Sequence, residues 1–264
     1  MCVQADKLIK KVTITENVQI AESQFCMTFQ DKLIADLLKP GQFINVKIPE
    51  DSSLILRRPF SIFNVEKETV SMVYMVVGKG SKALSHLKPG WEVEILGPLG
   101  NGFTPVAGKA AYIVGGGCGT PPVHFLAKNL KNSGYTVHAF LGFSKKEKVI
   151  LLDDFNKVSD SVHFSTDDGS AGEKGNVISM LEKQKPDGAF YACGPAPLLS
   201  SLKKYCMERN LPLQVSVEER MGCGFGVCLG CAIRTPDNTF KYVCKDGPVF
   251  EAQDVIISGE EHCS

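Results

Sequence analysis

Four cysteines near the C-terminal end, Cys223, Cys228, Cys231 and Cys244, constrain this chain more than any other feature. They lie in VEERMGCGFGVCLGCAIRTPDNTFKYVCKDG, Val217 to Gly247. Three are spaced C-x4-C-x2-C, and the fourth follows after twelve intervening residues. In this spacing one loop wraps a 2Fe–2S cluster and a later strand supplies the last thiolate. Three thiolates on one short loop must converge on a small centre, so the backbone between them has to turn tightly. Gly222, Gly224, Gly226 and Gly230 are expected to supply those turns without a Cβ penalty. Bare amides in such a loop can point at the sulfurs and tune the reduction potential. A structural zinc site usually pairs two C-x2-C knuckles, and only Cys228 and Cys231 make one. Disulfides need an oxidising compartment, which no segment suggests. The rest of the chain must therefore explain what gives electrons to this centre and what takes them.

A length of 264 residues suits two domains plus an appendage. Lysine plus arginine equals aspartate plus glutamate, 29 each, so no basic stripe argues for nucleic acid. No run of about eighteen apolar residues argues for a membrane span. The first residues, MCVQADKLIKKVTITENV, alternate like a strand and lack the apolar core and cleavage site of a signal peptide. Ten cysteines without a secretion signal fit a reducing cytosol, so a cytoplasmic location is expected. Cys2, Cys26, Cys118, Cys193, Cys206 and Cys263 remain, and for most of them the plain reading is a small buried apolar residue or an exposed terminal thiol.

Residues 1–105 read as a β-domain. KVTITENVQI, FCMTFQ, QFINVKIP, TVSMVYMVV and WEVEILGPLG are short alternating or β-branched runs, several separated by turns such as Pro40-Gly41 and Pro89-Gly90. Their even spacing suggests a small barrel, interrupted by a helix over Ser81 to Leu87. Over residues 106–216 strands alternate with helices, which predicts a parallel sheet covered on both faces, with LPLQVSVEE as its last strand. Residues 217–264 form the cluster unit.

Three further stretches carry chemistry. Leu56-Arg57-Arg58-Pro59-Phe60-Ser61 sits at a strand end of the barrel, where an arginine alone usually means a solvated end. It is followed by Val73-Tyr74-Met75 on a later strand and by Gly78-Lys79-Gly80-Ser81 opening the helix. A glycine loop at a helix start suits a pyrophosphate, an arginine can clamp the same phosphate, and Tyr74 could cover an aromatic ring system. Gly115-Gly116-Gly117-Cys118-Gly119-Thr120-Pro121-Pro122 lies between a strand and a helix, where phosphate binding is expected. Cys193-Gly194-Pro195 follows the strand GAFYA, where the plainer alternative for Cys193 is a buried strand-end thiol.

With these stretches in order, the chain resembles the ferredoxin–NADP reductase superfamily. There an R-x-[YF]-S motif and a downstream Gly-[ST] bind FAD in a six-stranded barrel. The matching residues are Arg58, Phe60 and Ser61, then Gly80 and Ser81. Phe60 stands where that family more often has tyrosine. The turn Gly115, Gly116, Gly117 and Gly119 is similar to its GGGxGxxP turn for a nicotinamide dinucleotide. Cys193, Gly194 and Pro195 are similar to its CGP motif, whose cysteine lies near the nicotinamide and flavin rings. Within the superfamily, GPLGNGF, GGGCGTPP, TDDGS, EERMGCGFGVCLGC and CKDGPVF resemble the electron-transfer subunits of two-subunit, NAD-dependent dihydroorotate dehydrogenases, over nearly the whole chain. Cys118 stands where an aliphatic residue is more usual.

That resemblance implies FAD in the barrel, a 2Fe–2S cluster on Cys223, Cys228, Cys231 and Cys244, and NAD as acceptor. It also implies an FMN-containing catalytic partner that oxidises dihydroorotate in pyrimidine biosynthesis, assembled as a heterotetramer of two of each subunit. No Ser/His/Asp or paired-carboxylate motif is readable, so no catalytic acid or base is assigned. His86, His124, His138, His163 and His262 are scattered without metal-ligand spacing. The alternative enzyme is the small subunit of a ferredoxin-dependent NAD(P)H reductase or sulfur reductase, whose cluster often departs from four cysteines. A cluster-bearing binding protein would need dead nucleotide loops, yet both retain their glycines. No arginine cluster marks a 2′-phosphate site, which favours NAD.

Overall fold

A computed structural model of the chain describes residues 7–49, 54–108 and 110–257, so Cys2, Cys263 and His262 lie outside the described residues. The first unit is built from β1 (Leu8–Ala21), β2 (Gln24–Gln30), β3 (Phe43–Lys47), β4 (Arg58–Ser61), β5 (Asn64–Glu66), β6 (Thr69–Met75) and β7 (Glu92–Leu99). All pairings are antiparallel, in the order β4-β3-β7-β1-β2-β6-β5. β5 resumes two residues after β4, so the two act as one bent strand that closes the ring. Counted that way the barrel has six strands. Period-two alternation fills it: Val12 and Ile14 of β1, Ile44 and Val46 of β3, and Val70, Met72 and Tyr74 of β6 all point inside.

Two helices cap the barrel, α1 (Lys32–Leu37) and α2 (Lys79–Ser85). The Asp31 carboxylate starts α1 by accepting from the Ile34 amide at 2.9 Å. The sequence places the second helix over Ser81 to Leu87, but it begins two residues earlier. Ser81 Oγ accepts from the amides of Val77 (2.9 Å) and Gly78 (3.1 Å), so Ser81 closes the first turn from within it.

The second unit is a sheet of β8 (Ala110–Gly116), β9 (Thr136–Phe143), β10 (Ser161–Thr166), β11 (Glu173–Lys174), β12 (Ala189–Cys193) and β13 (Leu213–Ser216). Its order is β11-β10-β9-β8-β12-β13, all parallel, with α3 (Thr120–Asn132), α4 (Leu152–Val158), α5 (Val177–Gln184) and α6 (Ala196–Met207) in the crossovers. Strand order reverses between β8 and β12, which opens a crevice at their carboxyl ends. β13 is not the last strand of this sheet, as the sequence suggests. After the small hairpin β14 (Ala232–Arg234) and β15 (Phe240–Tyr242), the chain returns as β16 (Val249–Glu251) and pairs antiparallel with β13. No helix among the described residues is long and apolar enough to cross a membrane.

The units share a core. Phe43, Leu96 and Leu99 from the outside of the barrel pack with Cys231, Ile233, Val243, Cys244 and Phe250 of the cluster unit and with Val215 and Val217. Burying each such large side chain contributes about 1.5–3 kcal/mol. Three from the barrel alone suffice to dock the cluster unit rather than tether it.

A second joint lies at His124 on α3, buried between Phe63 (4.6 Å between ring centroids) and Phe155 (5.2 Å). Loss of hydration there holds its imidazole below the ordinary range. Its folded pKa thus lies under the unfolded one, so the unfolded chain takes up the proton first. Stability is full above about pH 6.5 and is lost as pH falls below it. The melting temperature of His124→Phe should fall less than that of the unaltered protein between about pH 7 and pH 5.5. An equal fall would show that another group titrates at the joint.

Candidate functional site

The cluster loop folds as two cysteine pairs. Cys231 Sγ and Cys244 Sγ lie 3.3 Å apart in the shared core. Cys223 and Cys228 are cross-bonded, each amide donating to the other's sulfur at 3.4 Å. The Gly226 amide links the pairs by donating to Cys244 Sγ at 3.1 Å. Among the described residues no group of three or more His, Cys, Asp or Glu side chains gathers as ligands of one metal ion. Two pairs of soft donors fit a centre of two irons better than a single zinc. Burial pushes the Cys223 thiol up, but the amides of Cys228, Phe225 and Val227 outweigh it and bring it down to about 6. Burial and the neighbouring Cys231 thiol push Cys244 up to about 12, so a metal must displace its proton.

The glycines act differently from one another. Gly224 and Gly226 take positive φ, +78° and +89°. Gly222 and Gly230 do not; a Cβ on Gly222 would press on Cys228 Sγ at 3.3 Å, whereas one on Gly230 would meet it at an ordinary 3.6 Å. The third left-handed residue of the loop is Leu229 (φ +59°), which the sequence gives no reason to expect.

On the barrel, Arg57 and Arg58 part company. Arg57 is paired with Glu94 on β7. Arg58 lies across the start of α2, where a Cβ on Gly80 would come within 2.7 Å of its Nε. Gly80 thus lets the Arg58 guanidinium lie close over the first turn of α2, whose leading amides have no helical acceptor. Pro59 is exposed beside it, and Phe60 and Ser61 are half-buried. Ser81 is buried and spends its hydroxyl on the turn, so it shapes the helix start. Strand alternation divides Val73, Tyr74 and Met75. Val73 and Met75 face outward, Val73 toward the second unit. Tyr74 is 4% exposed, stacked on Phe25 (5.7 Å), tilted against Phe60 (5.5 Å), and donates to Asn17 Oδ1 at 2.9 Å. The Tyr74 ring therefore supports Phe60 and has no open face to cover a ring system, contrary to the expectation. Arg58→Ala should weaken FAD binding about tenfold to a hundredfold, as loss of a charge-assisted bond does, and more than Arg57→Ala. Equal FAD retention in the two variants would show the wrong arginine was chosen.

In the second unit, the two glycine turns interlock at the strand-order reversal. A Cβ on Gly119 would lie 2.4 Å from the Cys193 carbonyl group and the Gly194 nitrogen. One on Gly116 would lie 2.5 Å from Leu198. A cleft of about 380 Å³ opens above them, lined by Gly116, Gly117 and Pro195 among the expected residues. Gly115, Gly119, Cys193 and Gly194 lie beneath as packing. Cys193 is 1% exposed, and burial raises its thiol well above the ordinary range. The cleft also takes Ser144, Asp167, Asn176 and Ser201, which sequence reasoning passed over. Asp167, in TDDGS after β10, carries the one signal that could have been used, an acidic residue at a strand end lining the switch-point cleft.

A barrel with Arg58 against a helix start, a switch-point cleft and paired cysteines fits the matches to known proteins. Residues 6–103 match the oxidoreductase FAD-binding domain, and residues 218–256 match the iron–sulfur cluster binding domain of dihydroorotate dehydrogenase B. The dihydroorotate dehydrogenase B (NAD(+)) electron transfer subunit of Bacillus caldolyticus is 38% identical over 94% of this chain and 98% of its own. That of Lysinibacillus sphaericus is 40% identical with the same coverage. A solved NADH-dependent reduced ferredoxin-NADP oxidoreductase superposes with a TM-score of 0.84 at 28% identity, over 97% of this chain and 92% of that one. Identity of this level over almost the full length of both chains places the protein in the family of dihydroorotate dehydrogenase B electron transfer subunits.

Proposed function

We propose that the chain carries electrons from the FMN of a dihydroorotate-oxidising catalytic subunit to NAD⁺, as a step of pyrimidine biosynthesis. Cys223, Cys228, Cys231 and Cys244 hold the 2Fe–2S cluster, Arg58 and the α2 turn hold FAD, and the switch-point cleft takes NAD(H). When bound, the cluster supplies single-electron transfer, and FAD joins it to the two-electron chemistry of the nicotinamide. The chain's own residues bind, space and shield. The observation that carries this reading is the shared core: Phe43 and Leu99 of the barrel touch the same cluster of side chains as Cys231, Cys244 and Val217. All three sites are thereby fixed to one body, which a relay between cofactors needs.

Phe225, Val227 and Leu229 stand exposed around the cluster loop, with Val227 at 71%. Apolar side chains gathered at a redox centre suit a protein partner that brings its own flavin close. The assembly proposed is two of each subunit. The proposed division is 1–105 for FAD, 106–216 for the dinucleotide and 217–264 for the cluster.

The isolated chain is expected to oxidise NADH with artificial acceptors and to leave dihydroorotate untouched. Taking hydrogen from dihydroorotate needs a base beside the substrate carbon, and no such group is assigned here. Dihydroorotate oxidation by this chain free of any partner would overturn the reading. The 28% identical ferredoxin-linked structure supports a second reading, a subunit that exchanges electrons with ferredoxin. NADH-dependent reduction of ferredoxin by the complex, without turnover of dihydroorotate, would decide for it.

A further inference from the structure

We infer that two asparagines of the barrel, Asn45 and Asn101, are positioning residues that clamp both ends of the cluster-binding segment and so set the cluster against the flavin strand. The inference rests on the proposed cluster site. Asn45 lies on the outward face of β3, 1% exposed, and its Nδ2 donates to the Cys223 carbonyl at 3.2 Å. The contact is close: a Cβ on Gly224, which also has φ +78°, would fall 1.9 Å from that Nδ2 and displace the Asn45 amide. Asn45 also pairs through its backbone with Pro59, inside the Arg58 to Ser61 stretch. One residue thus touches the first cluster ligand and the FAD motif.

Asn101 follows β7, in the GPLGNGF stretch to which no role has yet been given. Its Nδ2 donates to the carbonyls of Lys245 (3.2 Å) and Asp246 (3.0 Å), directly after the last ligand, Cys244. Its amide donates to the Gly247 carbonyl at 2.6 Å. The first and last ligands are therefore each tied to the barrel by an asparagine, from two neighbouring strands.

Ordinary packing would also bring polar side chains to such a seam, but it does not explain Asn45. Its Oδ1 is buried with no hydrogen-bond partner among the described residues. Such an atom destabilises a fold; a leucine would remove it, at the cost of the bond to the Cys223 carbonyl. Among the described residues, the one hydrogen bond its side chain makes goes to the ligand loop. Electron exchange between two centres falls steeply with separation, so a tie that adds no net stability and fixes a distance serves exchange rather than folding.

The test uses the full chain loaded with FAD and cluster, as Asn45→Leu and Asn101→Ala. FAD and iron contents should match the unaltered protein. The melting temperature of Asn45→Leu should stay close to it, because removal of the buried Oδ1 offsets the lost bond to Cys223. After mixing with NADH, cluster reduction should slow in each variant, while FAD reduction keeps its rate. The electron paramagnetic resonance lines of the reduced cluster should broaden. Unchanged cluster reduction and spectra in loaded variants would overturn the inference. So would an Asn45→Leu chain that melts well below the unaltered protein or fails to fold, because that assigns Asn45 to packing; Asn101→Ala, at an exposed position, then decides the rest. Iron missing from the unaltered chain would sink the cluster reading itself, and would be seen before any variant is made.

Discussion

Replacing Cys228 with serine is expected to abolish dihydroorotate-to-NAD⁺ transfer in the reconstituted complex while NADH oxidation with ferricyanide survives. Cys228 is the exposed member of its pair, and its sulfur accepts from the Cys223 amide at 3.4 Å. A serine oxygen is a harder and more basic donor than a thiolate, and iron–sulfur centres select soft ligands. The substitution removes one ligand without touching the core, because Cys231 and Cys244 supply the buried pair. The barrel and the cleft lie elsewhere and should keep FAD and NADH. Two measurements check this: steady-state transfer in the complex, expected at background, and NADH–ferricyanide activity of the chain, expected within about twofold. Transfer near the original rate would remove Cys228 from the ligand set.

Gly119→Ala is expected to cripple NADH use more than Gly117→Ala, although Gly117 is the one with positive φ. The added methyl at Gly119 meets backbone at 2.4 Å, the Cys193 carbonyl group and the Gly194 nitrogen. Backbone cannot swing aside as a side-chain tip can, so the two turns under the cleft must separate. Overpacking of this kind costs about 1–3 kcal/mol, felt here where the dinucleotide should sit. Gly117 has φ +50° but open space around it, so its alanine variant carries backbone strain alone. An NADH titration should show KM raised at least about tenfold for Gly119→Ala with FAD still bound. Equal effects at the two positions would mean that conformation, rather than the close approach, governs the turn.

The antiparallel barrel, the parallel sheet after it and the cysteine spacing of a C-terminal iron–sulfur unit were legible in the sequence because their signals are local. Alternation marks β1, β2 and β6, and the cysteine spacing needs only twenty-odd residues. The missing parts come from contacts between distant segments. Nothing around Val249 says that it will return to Ser216, and nothing around Asn45 announces Cys223, 178 residues away. Alternation gives the side of the strand that Tyr74 takes, but that its ring is covered depends on Phe25 and Phe60 in other strands. Asp167 was passed over because the reading stopped at glycines, while the wall of the cleft comes from the strand ends beyond them.

The return of β16 to β13 bears on how such a chain can change over generations. The cluster-binding segment leaves the parallel sheet at Ser216 and rejoins it at Val249, and these two residues face each other in the ladder. The segment is therefore an insertion whose ends already meet. Its length and contents can vary without moving the strands on either side, as with domains spliced in at adjacent termini. A short bridge between Ser216 and Val249 would leave a two-domain flavin reductase. Genes of this design can gain or lose a one-electron outlet in a single recombination, and the seam with the barrel is then the part that must adapt residue by residue.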